Sequence, residues 1–115
     1  MVDKKTIELT HQFCCQTRMQ YGYQQLYLIG SRARGDYKPT SDHDFVAVLD
    51  DDVPREILSC TKLQFDFAAF THENGLGKVD LLFATKSRVA MLNPTPDDLI
   101  PYSCQRDGKQ MWKRN

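Results

Sequence analysis

The run LIGSRARGDYKPTSDHDF, Leu28–Phe45, places a glycine-serine turn after an apolar stretch and then, ten residues further on, two aspartates separated by one residue. Leu26–Ile29 reads as a strand, and Gly30 lacks the Cβ that would hold a phosphate away from the backbone. The amides of Ser31 and Arg32 would then face an anion at a helix N-terminus, with Arg32 and Arg34 near enough to neutralise it. Downstream, Phe45, Val46, Val48 and Leu49 mark a second strand, His43–Leu49. Its period of two puts Asp42 and Asp44 on one face and His43 on the other, where we read the histidine as structural or surface. Two bare carboxylates repel by about 4 kcal/mol at 4 Å and an effective dielectric near 20, so the pair calls for a cation or a shared proton. Carboxylates beside a phosphate suit Mg²⁺.

A third carboxylate follows in KVDLLFA, residues 78–84, where Asp80 lies inside an apolar strand-like run and is costly to bury without a partner. Gly30-Ser31, ten residues, Asp42-His43-Asp44 and then Asp80 together resemble the signature of nucleotidyltransferases of the DNA polymerase β superfamily. Ala33-Arg34-Gly35 and Ser41 directly before Asp42 are similar to the small prokaryotic branch called minimal nucleotidyltransferases. The resemblance spans roughly residues 25–85 and leaves the tail undiagnosed.

It implies a polymerase β-like fold, a small mixed sheet flanked by helices with the acidic residues on adjacent strands. It also implies a Mg²⁺-dependent transfer of AMP from ATP to an acceptor hydroxyl. Asp42, Asp44 and Asp80 would hold two metal ions, Asp80 would take the acceptor's proton, and Gly30 and Ser31 would hold the β and γ phosphates. Only about thirty residues follow Asp80, so the acceptor surface is expected from a partner. Proteins of this kind often act as antitoxins toward a helical RNase of the HEPN class, which is our first expectation for the partner. The alternatives are adenylylation of a small molecule such as an aminoglycoside, and a binding module that neutralises its partner without catalysis.

Composition bounds these readings. At 115 residues the chain is expected to be a single domain, residues 1–115, that folds without staples. Fifteen basic and fifteen acidic residues give zero formal net charge, without the basic excess of a protein whose main partner is long nucleic acid. Cys14, Cys15, Cys60 and Cys104 form no C-x-x-C pair and suggest reduced thiols, mostly in the core. The N-terminus shows no apolar signal segment and no stretch nears 18 apolar residues, so we expect a cytoplasmic protein with no membrane partner. The oligomeric state stays open.

Along the chain, Asp3 can cap a helix from Lys4 to about Tyr21, with Gly22 as its stop. Thr6, Leu9 and Phe13 fall on one side of it, and Ile7 and Cys14 beside them. The turn at Gly30 opens a short helix or loop to Lys38. Pro54 suggests a helix over roughly Arg55–Phe70 carrying Ile57, Leu58, Leu63 and Phe67. Gly75 and Gly77 lead into the Asp80 strand, a helix is expected over about Lys86–Leu92, and Asp97–Ile100 opens another. From Pro101 the pattern is weak. The order α-β-α-β-α-β-α indicates an α/β or α+β sandwich with a small sheet.

Other features read as structural. Gly30–Asp36 is spaced like a phosphate-binding loop of the ATPases, but Asp36 and Tyr37 stand where that loop needs Lys and Ser or Thr. Arg34-Gly35-Asp36 as an adhesion tripeptide and Asp50–Asp52 as a second metal site are set aside, the latter as a solvated strand end. His11 and His72 have no partner at metal spacing. Gly75-x-Gly77 is too short for a dinucleotide fingerprint. Tyr21, Tyr23, Tyr27 and Tyr37 suit core packing better than stacking on a base.

Overall fold

The first helix, α1 (Lys4–Tyr21), starts where the Asp3 carboxylate accepts from the Thr6 amide and ends where Gly22, at φ 69°, turns the chain left-handed and donates to the Arg18 carbonyl. It buries Thr6, Thr10, Phe13 and Cys14, whereas Ile7, expected beside them, is 43% exposed. Thr10 is the reason: its hydroxyl bonds back to the Thr6 carbonyl, which lets a polar side chain take the inner face. The computed structural model describes residues 2–54, 56 and 60–114.

Strand β1 (Gln25–Ile29) runs into the one-turn helix α2 (Ser31–Arg34), and β2 (His43–Leu49) returns antiparallel to β1. Helix α3 (Thr61–Glu73) follows an extended Cys60, so it begins later than expected; the anticipated opening around Arg55, Ile57 and Leu58 lies outside the described residues. Strand β3 (Val79–Thr85) pairs parallel to β2. Two short helices, α4 (Lys86–Val89) and α5 (Leu99–Arg106), then lead to β4 (Lys109–Lys113), antiparallel to β1. The four-stranded mixed sheet has the order β3-β2-β1-β4.

Two expectations are corrected here. Helix α4 stops at Val89 instead of reaching Leu92, because the Gln105 side-chain amide takes the carbonyls of Val89 and Met91 and leaves Leu92 87% exposed. The fourth strand was not anticipated. Its run KQMWK buries Met111 and Trp112, with a lysine at each end, as edge strands carry. Of the cysteines, Cys14 and Cys104 are buried, Cys60 is half-buried and Cys15 is exposed, so only two of the four thiols join the core.

The sheet has two unequal faces. Leu26, Leu28, Phe45, Ala47, Leu49, Leu81 and Phe83 pack with Phe13, Leu63 and Phe67 of α1 and α3 in the main core. Phe67 stands edge-on to both Phe13 and Phe45 at 5.0 Å between centroids, and Tyr23 packs edge-on to Trp112. The opposite face, with Ile29, Val46, Val48 and Ala84, is covered among the described residues by the short helices α4 and α5 through Val89, Ile100 and Cys104. One end of this second face is open, and it carries the polar residues of β2 and β3.

Candidate functional site

Strand alternation brings the candidate residues to that open end. Asp44 shares its side of β2 with Val46 and Val48, and Asp80 shares its side of β3 with Leu82 and Ala84, so both carboxylates rise from the thinly covered face. The parallel register makes Asp44 and Asp80 Cα partners. Across the other side of β2, Asp44 is the partner of Ile29, the residue before Gly30. The turn and the two acids thus meet at one edge of the face because β1 ends where β2 and β3 begin.

Gly30 serves two purposes. Its φ of 77° with ψ of −157° is a conformation that only glycine adopts without strain, and a Cβ there would lie 3.0 Å from Asp44 Oδ2. Its carbonyl accepts from the amides of Ala33 and Arg34, which starts α2 and leaves the Ser31 and Arg32 amides as first-turn donors without an acceptor inside the helix.

Asp42 stands just before β2, half-buried, with its carboxylate 3.5 Å from the Lys78 ammonium. The Asp44 carboxyl is pushed above its ordinary range, first by burial and then by the charges of Asp80 and Asp42, with Lys78 offsetting part of the effect. His43 lies on the core side as alternation requires, 4% exposed and stacked on Phe45, and its Nδ1 has no hydrogen-bond partner among the described residues. Burial and then the Arg32 guanidinium hold its imidazole below the usual range.

The two arginines are engaged within the loop. Arg32 donates from Nε and Nη2 to the Ser41 carbonyl and from Nη2 to the Pro39 carbonyl, and its guanidinium sits 4.1 Å from the Tyr37 ring centroid. Arg34 pairs with Asp36 at 3.2 Å. Arg32 is therefore a clasp on the loop that delivers Asp42, and among the described residues neither arginine bonds to Asp42, Asp44 or Asp80.

Among the described residues no three His, Cys, Asp or Glu side chains converge closely enough to hold one ion as they stand, and Asp42 is engaged by Lys78. The donor set still fits a hard divalent cation. Asp42, Asp44 and Asp80 all lie at this end of the sheet, the Asp44 carboxyl is made reluctant to ionise by burial and then by the charges of the other two, and the glycine beside it leaves room next to its oxygen. A larger groove of about 680 Å³ lies at the far end of the sheet, between α4, Gln25 and Lys113, and holds no carboxylate. We take the acids as the candidate site. Lys78 was not singled out in the sequence, and its position two residues before Asp80 on the same strand side was the available signal.

The family pattern described as nucleotidyltransferase domain matches residues 14–104. No curated protein sequence matches the chain. Among solved structures, one described as a toxin-antitoxin with AMP-PNP superposes with a TM-score of 0.54 at 19% identity, covering 96% of this chain and 73% of that one. A doubly substituted mutant of the toxin-antitoxin MntA-HpeT gives 0.55 at 16% identity over 100% of this chain and 76% of that one. A candidate nucleotidyltransferase from Sulfolobus solfataricus gives 0.53 at 22% identity over 94% and 80%. These likenesses establish a shared polymerase β-like fold.

Proposed function

From the premise that the chain belongs to the nucleotidyltransferase domain family, we propose that it transfers AMP from ATP to a hydroxyl of a partner protein and serves as the antitoxin of a helical, HEPN-type RNase. The observation that carries the nucleotidyl-transfer reading is the register that sets Asp80 beside Asp44 and Asp44 beside the Gly30 turn. The toxin-antitoxin assignment draws support from the solved structures of that description, one of them with AMP-PNP.

In this reading the acceptor oxygen attacks the α-phosphorus. The new O–P bond forms as the bond to the β-phosphate bridging oxygen breaks, pyrophosphate leaves, and the hydroxyl proton passes to Asp80. The Ser31 and Arg32 amides hold the terminal phosphates at the start of α2. Asp42, Asp44 and Asp80 would hold two Mg²⁺ ions, which when bound supply charge neutralisation for the triphosphate. Arg32 keeps the loop before Asp42 in place through the Ser41 and Pro39 carbonyls. Catalysis of this kind is mainly positioning and electrostatics.

Calorimetry tests the metal dependence: ATP should bind in Mg²⁺ and fail to bind in excess EDTA, and equal affinity in both would refute the reading. Asp42→Asn should keep the fold and lose about 4 kcal/mol of transition-state stabilisation, roughly a thousandfold in transfer rate. The unconverged carboxylates favour one second reading, a binding module that masks its partner without catalysis. Intact-mass measurement of the partner after incubation with Mg-ATP separates the two, since only the enzyme adds AMP.

A further inference from the structure

Strand β3 is terminal in the sheet, and among the described residues no strand pairs with its outer side. The Lys78 carbonyl accepts from the His43 amide of β2, so by alternation Asp80, Leu82 and Ala84 direct their backbone groups inward, toward β2. Val79, Leu81 and Phe83 direct theirs outward. One side chain has already taken the place of a neighbouring strand: the Gln64 amide of α3 donates to the Leu81 carbonyl at 2.9 Å. Beside this edge runs a groove of about 570 Å³, lined by Gln64, Phe65 and Ala68 of α3 and by Val79, Asp80 and Leu81 of β3, and reaching Asp44. Phe65 is 74% exposed there, a large apolar surface with nothing packed on it among the described residues.

We infer that this edge is the acceptor site, and that the acceptor is an extended polypeptide segment, rich in basic residues, which adds to β3 as a further strand and brings a hydroxyl side chain to Asp80. The inference rests on the nucleotidyl-transfer reading above and specifies its substrate. Apart from the Leu81 carbonyl that Gln64 holds, the strand edge offers donors and acceptors that an extended backbone complements in register and that a compact polyol cannot. Phe65 offers an apolar platform for one side chain of the added strand. Charge sets the composition: among the described residues the carboxylates of Asp42, Asp44 and Asp80 are opposed by the Lys78 ammonium, and a basic segment meets the excess of negative charge. The group transferred and the bonds exchanged are those given above, with the peptide hydroxyl as nucleophile.

The test presents the full-length protein and Mg-ATP with a degenerate pool of short linear peptides, each with one tyrosine among lysines and arginines. The same pool N-methylated at alternate backbone amides and the aminoglycoside kanamycin serve as competing acceptors, with addition of AMP read by mass. Peptides of the parent pool should be adenylylated, and alternate N-methylation, which removes backbone donors alone, should lower kcat/KM by about tenfold or more. Phe65→Ala should raise KM for peptide by about tenfold while kcat and Mg-dependent ATP binding stay unchanged, since an exposed ring contributes little to the fold. N-methylated peptides that react as well as the parent would overturn the strand pairing. Adenylylation of kanamycin alone, or Mg-ATP binding with no peptide modified, would overturn the peptide acceptor and leave nucleotidyl transfer standing. Absence of Mg-dependent ATP binding would instead remove the reading beneath it.

Discussion

Replacing Asp44 by Asn should make the metal-free protein more stable while abolishing its activity. Asp44 and Asp80 are partners on adjacent parallel strands, and such strands lie about 4.8 Å apart. Two unit charges about 5 Å apart repel by about 3 kcal/mol at an effective dielectric of 20. Asp80 is exposed and Asp44 half-buried, so solvent screening reduces the net figure to about 1 kcal/mol. Asparagine keeps the volume and removes the charge, and among the described residues the Asp44 carboxylate accepts no hydrogen bond that would be lost. In EDTA at neutral pH the variant should melt about 4 °C above the wild type. The pH dependence carries a sign that checks the cause. The folded-state value of Asp44 is raised above its ordinary 3.8, so the folded protein binds that proton more tightly than the unfolded chain. Its contribution to stability is fully present below 3.8 and is lost as pH rises through the raised folded-state value. The difference between variant and wild type should therefore open as pH climbs through that window and be flat by neutral pH. Mg²⁺ should reverse the order, because wild type gains about 2.7 kcal/mol at a hundredfold excess over Kd and the variant loses a ligand. Differential scanning calorimetry in EDTA and in Mg²⁺ across this range measures all of it. A variant that melts at or below wild type in EDTA would show that the acids do not repel, and the argument for a cation at the site would go with it.

Gly30→Ala should cost about 1–3 kcal/mol in a urea melt, because φ is 77° and the new Cβ meets Asp44 Oδ2 at 3.0 Å; a variant within error of wild type would mean the turn relaxes freely. Arg32→Ala should speed amide hydrogen exchange across the loop between Gly35 and Asp42, since it deletes the bonds to Ser41 and Pro39; unchanged exchange with weakened ATP binding would instead make Arg32 a phosphate ligand. His43→Leu should leave stability unchanged or raise it by up to about 1 kcal/mol, as it removes a buried nitrogen with no partner among the described residues. Its effect should grow on acidification: the wild-type imidazole is held below 6.5, so its contribution is present above 6.5 and is lost as pH falls toward the folded-state value. A destabilisation of about 2 kcal/mol or more, well beyond the typical net value of a single hydrogen bond, would reveal a partner for Nδ1.

What could be read from the chain follows the range over which each interaction acts. The limits of α1 are written in Asp3 and Gly22, whose effects are confined to a single turn, and both ends fall where those residues place them. Turn and paired aspartates were legible for the same reason, since both lie on the one connection that joins β1 to β2, whose antiparallel pairing returns Asp44 opposite Ile29, the residue before Gly30. Strand β4 was not legible, because two buried residues between lysines make no pattern until β1 is there to pair with them. Length was misjudged in α4 because the group that ends it, the Gln105 amide, comes from another helix. The same distinction governs the site. Asp80 could be nominated from its strand, yet its place beside Asp44 depends on a parallel register that no local pattern specifies. Lys78 carries only its spacing from Asp80 as a signal, and Gln64 and Phe65 carry none, since a glutamine and an exposed phenylalanine acquire meaning only once α3 lies along the outer strand. On the proposed reading, local chemistry in this chain supplies the turn and the acids that would handle the nucleotide, and topology creates the edge beside them where an acceptor would sit. Substitutions in the Gly30–Asp44 loop should accordingly change turnover for every acceptor alike, whereas those along β3 and α3 should change which acceptor is used.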